Sequence, residues 1–204
     1  MDWRRTGAKK NFPGWWYFSR TKTHVGFESW LERDHVMAFD ADPEVTAVSS
    51  QPFWLHWSTG GQERRHAPDF FVRLRSGDAV VVDVRPDDRI EPADAEAFAV
   101  TEQACTAVGW AYRRVGELEV VFAANLRWLA GYRHPRCRQI DRVAALYEMF
   151  AAGQELLVGA RAVGDPVAVL PVLFHLLWTR ELRTDLTTSV LGPRSRVSAG
   201  DEQR

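Results

Sequence analysis

The sequence predicts an α/β fold: a mixed sheet flanked by helices, with a smaller helical, winged-helix-like carboxy-terminal domain. Three observations lead there. Helical spacing of apolar residues alternates with short β-branched and aromatic runs through the first 132 residues. The run Ala79 to Val84 is almost wholly apolar, as a strand covered on both faces must be. From residue 133 onward the helical period recurs three times and a short ribbon pattern follows. The expected division is therefore 1–132, including a basic amino-terminal arm, and 133–204, ending in a loose tail.

The elements follow in order. In "GFESWLERDHVMAFDADPEV" Phe27, Trp30, Leu31 and Asp34 to Met37 recur at spacings of three and four, and Asp42-Pro43 stops the pattern, so a helix of about three turns is expected. "VTAVSSQPFWLHW" reads as one strand bent at Pro52, with "STGG" as the turn after it. "RRHAPDFFVRLR", the turn Ser76-Gly77-Asp78 and "AVVVDVRP" form a β-hairpin. "EPADAEAFAVTEQACTAVG" is a helix, started near Pro92 and capped at Gly109. "WAYRRV" is a short strand and "LEVVFAANLRWLAGYR" a further helix. Beyond them, "IDRVAALYEMF", "ELLVGARAV" and "DPVAVLPVLFHLLWTREL" are helical, the last with Asp165 as N-cap and Pro166 at N1. "LRTDLTTSVLG" suits a β-ribbon and "SRVSAGDEQR" a tail. Three helices and a ribbon are the plan of a winged helix.

Charge is segregated, although the net charge is only −1. Arg4, Arg5, Lys9, Lys10, Arg20 and Lys22 crowd the first 23 residues against Asp2, and Arg127, Arg133, Arg136, Arg138 and Arg142 form a second basic run. Between them, residues 83–102 carry seven acids against Arg85 and Arg89. Basic flanks around an acidic centre suit a protein that grips a polyanion at its edges and cations in its middle; a solvated surface has the same composition. Cys105 and Cys137 are too few for a disulfide scaffold or a four-cysteine zinc site, and fit a reducing, cytoplasmic setting. No apolar run reaches the roughly 18 to 20 residues that span a bilayer, and "MDWRRTGAKK" lacks the apolar stretch of a secretion signal.

A charged pair interrupts the buried strand. Residues two apart share a face, so Asp83 and Arg85 project together near the strand end, and Asp69 on the neighbouring arm is aimed into the same region where Pro68 distorts the strand. Burying a lone carboxylate costs several kcal/mol, so these groups need partners. A divalent cation would be one.

Glu28 in "GFESWLERD", Pro68-Asp69 in "HAPDFFV" and Asp83-Val84-Arg85 in "VVVDVRP" together resemble the PD-(D/E)XK nuclease superfamily. The pairing of "FESWLERD" with "HAPDF", with a helical carboxy-terminal part, is most similar to the TnsA-like endonuclease subunit of heteromeric transposases, over roughly residues 14 to 190. The resemblance implies a restriction-endonuclease-like sheet and a metal-dependent DNA endonuclease that hydrolyses phosphodiester bonds at transposon ends. It implies Mg²⁺ or Mn²⁺ held by Glu28, Asp69 and Asp83, with Arg85 completing the catalytic set. A TnsB-like transposase, a TnsC-like ATPase and DNA are the implied partners. Arg85 stands where the family pattern has lysine; it can clamp a phosphate oxygen but cannot act as a base. Lys22 is the nearest lysine in sequence.

Each residue also has a plainer role. Glu28 could be an exposed helix-start charge beside Arg33, Asp69 a turn acid, Asp83 and Arg85 an ion pair, and His66 a hydrogen-bonded strand histidine. The DNA-binding candidates are Lys9, Lys10, Arg20, Lys22, Arg136 and Arg138, and the aromatics of "GWWYFSR" could stack on DNA or pack inward. Two rival functions stay open: a nuclease-fold adaptor that has lost catalysis, and a stand-alone restriction or repair nuclease.

Overall fold

The computed structural model describes residues 12–200. Contacts divide the chain into two units: residues up to Val36 with Val45–Glu117, and Met37–Glu44 with the chain from Leu118 onward.

The first unit begins with a hairpin of β1 (Gly14–Phe18) and β2 (Thr23–Phe27), in register from Gly14 opposite Phe27 to Phe18 opposite Thr23. Its tight turn puts Lys22 at φ 57°, a left-handed conformation. Helix α1 (Trp30–Ala41) follows at the expected place, preceded by Ser29, whose hydroxyl caps it. Then come β3 (Val45–Ser50), β4 (Leu55–Thr59), β5 (Gln62–His66), β6 (Phe70–Leu74) and β7 (Ala79–Val84), α2 (Pro92–Ala107) and β8 (Ala111–Val115). The central sheet has the order β3-β6-β7-β8. Its first three strands are antiparallel, and the α2 crossover makes β7 and β8 parallel. As expected of a strand covered on both faces, Ala79 to Asp83 are all buried: Val80 and Val82 share a face with their partners Val72 and Phe70, and Val81 is buried on the other face.

Two expectations change. The stretch 45–57 makes two strands, because Gln51 turns to φ 44° and Pro52 offers no N–H to continue a ladder. Residues 64–66 belong to β5, which pairs with β4 as a separate ribbon, whereas the β6–β7 hairpin starts at Phe70.

The second unit contains α3 (Val120–Ala130), α4 (Ile140–Phe150), β9 (Gln154–Glu155), α5 (Leu156–Val163), α6 (Pro166–Trp178), β10 (Leu182–Thr184) and β11 (Arg196–Ala199). Helix α3 groups here by its contacts, although the sequence suggested a boundary at 132/133. The physical tie is Asn125, whose amide donates to the carbonyls of Leu186 and Ser189 and accepts from the Leu191 N–H. Asp165 caps α6 as expected, accepting the Val167 N–H at 3.0 Å. Apolar on nearly every side, α6 forms the centre of this unit's core through Val172, Leu173, Leu176 and Leu177, all at most 2% exposed. The ribbon differs from expectation: β10 pairs with β11, and β11 pairs in turn with β9. Residues 196–199, read as tail, are therefore its second arm, while 185–188 form a turn fastened on the Asp185 carboxylate. Among the described residues no helix is long and apolar enough to cross a membrane.

Candidate active site

The open end of the β1–β2 hairpin, the start of α1 and the segment after β3 border a cleft of about 400 Å³. Its lining combines the aromatic rings of Trp15 and Phe27 with the polar groups of Glu28, Glu32, Gln51 and Asp69.

Local chemistry fixes the acidic groups. Ser29 and Glu32 form a reciprocal helix cap. The Glu32 N–H donates to Ser29 Oγ at 3.1 Å, and the Glu32 carboxylate accepts from Ser29 Oγ and from the Glu28 N–H, both at 2.8 Å. Gln51 ties two segments at once: its N–H donates to the Asp69 carbonyl at 2.9 Å and its side-chain amide to Glu28 Oε1 at 2.8 Å. Holding a non-glycine residue in the left-handed region costs about 1 kcal/mol or more, and those two bonds offset it. Asp69 is positioned from the strand behind it, where the Val84 N–H donates to Oδ2 at 2.7 Å.

Burial pushes the Asp69 carboxyl up to about 7, the neighbouring charges of Glu32 and Asp83 add to the rise, and the Val84 N–H and His66 oppose it. Burial likewise raises Glu32, against its hydrogen bonds from Glu28 and Ser29. The cleft thus concentrates carboxylates that resist shedding their protons together. Such a site gains from a cation.

Asp83 lies in β7 and Arg85 just past its end, and they are not each other's partner. Asp83, 1% exposed, accepts from Tyr112 Oη at 2.8 Å and bonds His66 Nε2 at 2.9 Å. Burial works to lower the His66 pKa, but the bond and charge of Asp83, with the charges of Asp69 and Asp94, outweigh it and raise the pKa. Burial and Asp83 push the Tyr112 phenol upward, so it remains a donor. Arg85 Nη2 reaches Asp94 Oδ1 in the first turn of α2. The answer to the charged pair in the buried strand is that each member has its own partner.

Of the three acids expected to cage a cation, Glu28 and Asp69 line the cleft and Asp83 does not. Among the described residues no three acids, histidines or cysteines are gathered as a metal cage. Lys22 sits at the hairpin tip, roughly 20 Å from Glu28 along six extended steps, too far to replace a site lysine. Arg20 is exposed beside it. Arg136 is exposed in a short 3-10 turn, whereas Arg138 is engaged by Glu181 at 2.5 and 2.6 Å and belongs to a bonded cluster with Tyr147. Lys9 and Lys10 lie outside the described residues. Glu32 and Gln51 were not among the expected site residues; the spacing Ser29-x-x-Glu32 was the available signal for the first.

Glu28, just before α1, and Asp69, just before β6, thus line one cleft at the end of the mixed sheet. Residues 42–117 match the family model described as TnsA-like endonuclease N terminal. The matched segment holds Gln51, Asp69, Asp83 and Arg85; Glu28 and Glu32 precede it. No curated protein matches the chain.

Proposed function

We propose that this chain is a metal-dependent DNA endonuclease subunit of a heteromeric transposase, hydrolysing phosphodiester bonds at transposon ends beside a TnsB-like transposase and a TnsC-like ATPase. The observation that carries this reading is Asp69: a half-buried carboxyl, pushed up to about 7, sharing a cleft with Glu28 and Glu32 inside or beside the segment that matches a TnsA-like endonuclease.

The donor set suits the cation. Mg²⁺ is commonly held by one or two carboxylates, with water and substrate phosphate supplying the rest, so a closed three-acid cage is not required. Asp69 and Glu28 would hold Mg²⁺ or Mn²⁺, which when bound would polarise the phosphoryl oxygen and acidify water. Val84 keeps Asp69 aimed at the cleft, and Gln51 keeps Glu28 beside it. Asp83 acts as a positioning residue, anchoring the end of β7 through His66 and Tyr112. Arg85 stays charged and contributes positive potential at the strand end.

Nicking of supercoiled plasmid with Mg²⁺ or Mn²⁺, in the presence of the two partner proteins, tests the reading. Asp69→Ala is expected to lower the rate by at least about a hundredfold, the scale on which loss of a key electrostatic group acts. Equal rates for wild type and variant would overturn it.

One observation favours a second reading, an adaptor without catalysis: the arginine at the lysine position is turned to Asp94. Arg85→Lys separates the two. A gain in nicking supports a weakened enzyme, and no nicking by either form supports the adaptor. We further infer that the second unit is a winged helix, on the order α4, β9, α5, α6, β10, β11 with β11 between its two partner strands.

A further inference from the structure

We propose that the outer face of Trp15 is a stacking platform for one nucleobase of a DNA strand entering the acidic cleft, with the tip of the same hairpin holding that strand's backbone farther along. The proposal rests on the nuclease reading for its substrate class.

Trp15 is 73% exposed, an unusual position for an indole on a regular strand. Its cross-strand partner is Gly26, and a Cβ built there would lie 3.6 Å from the indole ring. The six-membered ring's Cζ3–Cε3 edge therefore lies over a glycine, while most of the indole surface stays exposed. The end of the Phe27 ring lies over its own cross-strand partner, Gly14, where a Cβ would come within 2.5 Å of Cζ. A side chain at Gly14 would collide with Phe27, so the glycines supply the room these two rings occupy at the cleft. Trp30, also exposed, differs: Arg33 covers its ring at 4.1 Å and Phe12 approaches at 5.6 Å. No ring or cation stacks on Trp15 among the described residues.

The acidic lining selects the occupant. Glu28, Glu32 and Asp69 repel a bare phosphate, while an uncharged base can enter and offer its π-face to the indole and its edge to Ser50 or Gln51. A volume of about 400 Å³ is within the usual range for small ligands. Arg20 and Lys22 lie at the hairpin tip, roughly 13 Å away along four strand steps, or about four nucleotide steps at 3.4 Å each. The base of the arm would read position and its tip would add affinity that salt weakens.

The test uses the full chain and synthetic DNA strands carrying one 2-aminopurine, scanned along the strand, with an end-labelled copy for anisotropy. Wild type is expected to quench 2-aminopurine at a single position. Trp15→Ala should lose that quenching and bind about ten- to a hundredfold more weakly, whereas Trp15→Phe should keep both. Should the alanine variant lose its melting transition, Trp15→Leu against Trp15→Phe makes the same comparison of ring and aliphatic side chain. If Trp15→Ala binds and quenches like wild type while Asp69→Ala still abolishes nicking, the platform is wrong and the nuclease reading stands. If wild type binds no DNA strand, both fall.

Discussion

Asp69 and Asp83 stand beside each other at the ends of adjacent strands, yet they belong to different chemistries. Asp69 borders a cleft, receives one N–H from Val84, and is lifted to about 7. Asp83 is sealed inside, with Tyr112 and His66 on its two oxygens. A buried carboxylate with enough donors becomes an anchor. One with too few must take up a proton or a cation, and that need makes it useful in a reaction.

The sharpest way to break this contrast is Asp83→Ala. It strands the His66 and Tyr112 donors, and urea unfolding should register a loss of about 3 to 5 kcal/mol. A loss under about 1 kcal/mol would remove Asp83 from its anchoring role.

Asp69 should behave oppositely. The folded chain retains its proton up to about pH 7, while an unfolded aspartate releases it near 3.9, so between those values the folded state binds more protons. Stability from this group falls as pH rises from about 4 to about 7 and is level above that. The fall is on the order of 3 kcal/mol, reduced somewhat by the partial exposure of the side chain. Asp69→Asn should flatten this slope and stabilise the protein at pH 8. Mg²⁺ should raise the melting temperature of wild type at that pH and leave Asp69→Asn unmoved.

Tyr112→Phe sharpens the comparison from the sealed side. Removing one of the two donors to Asp83 should cost about 1 to 2 kcal/mol in chemical denaturation. Smallest is Ser29→Ala, which loses the cap of α1 at about 1 kcal/mol and releases one bond to Glu32. Its effect on nicking should exceed its effect on melting if the Glu32 carboxylate faces the cation.

Much of this was legible where the information is local. The apolar run 79–84, Pro92 and Gly109 around α2, and Asp165-Pro166 at the start of α6 each act through a few neighbouring residues, and the elements formed there. The order of Glu28, Pro68-Asp69 and Asp83-x-Arg85 led to the family that residues 42–117 match. Strand alternation gave the face of Asp83 but could not name its partners, because His66 is 17 residues away on β5 and Tyr112 is 29 away on β8. The left-handed turn at Gln51 was hidden for a related reason: a residue before proline is normally extended, and only its tertiary bonds hold it otherwise. Residues 196–199 look like a polar tail until β9 and β10 flank them.

The β4–β5 ribbon ends in Gly60 and Gly61, both at positive φ, with open space around each. Trp57 fastens the ribbon to α2 through Glu96 at 2.8 Å, so its tip can be altered without freeing its stem. A fluorophore or peptide epitope inserted at that bend would give an optical handle on assembly, placed where the fold has room for cargo.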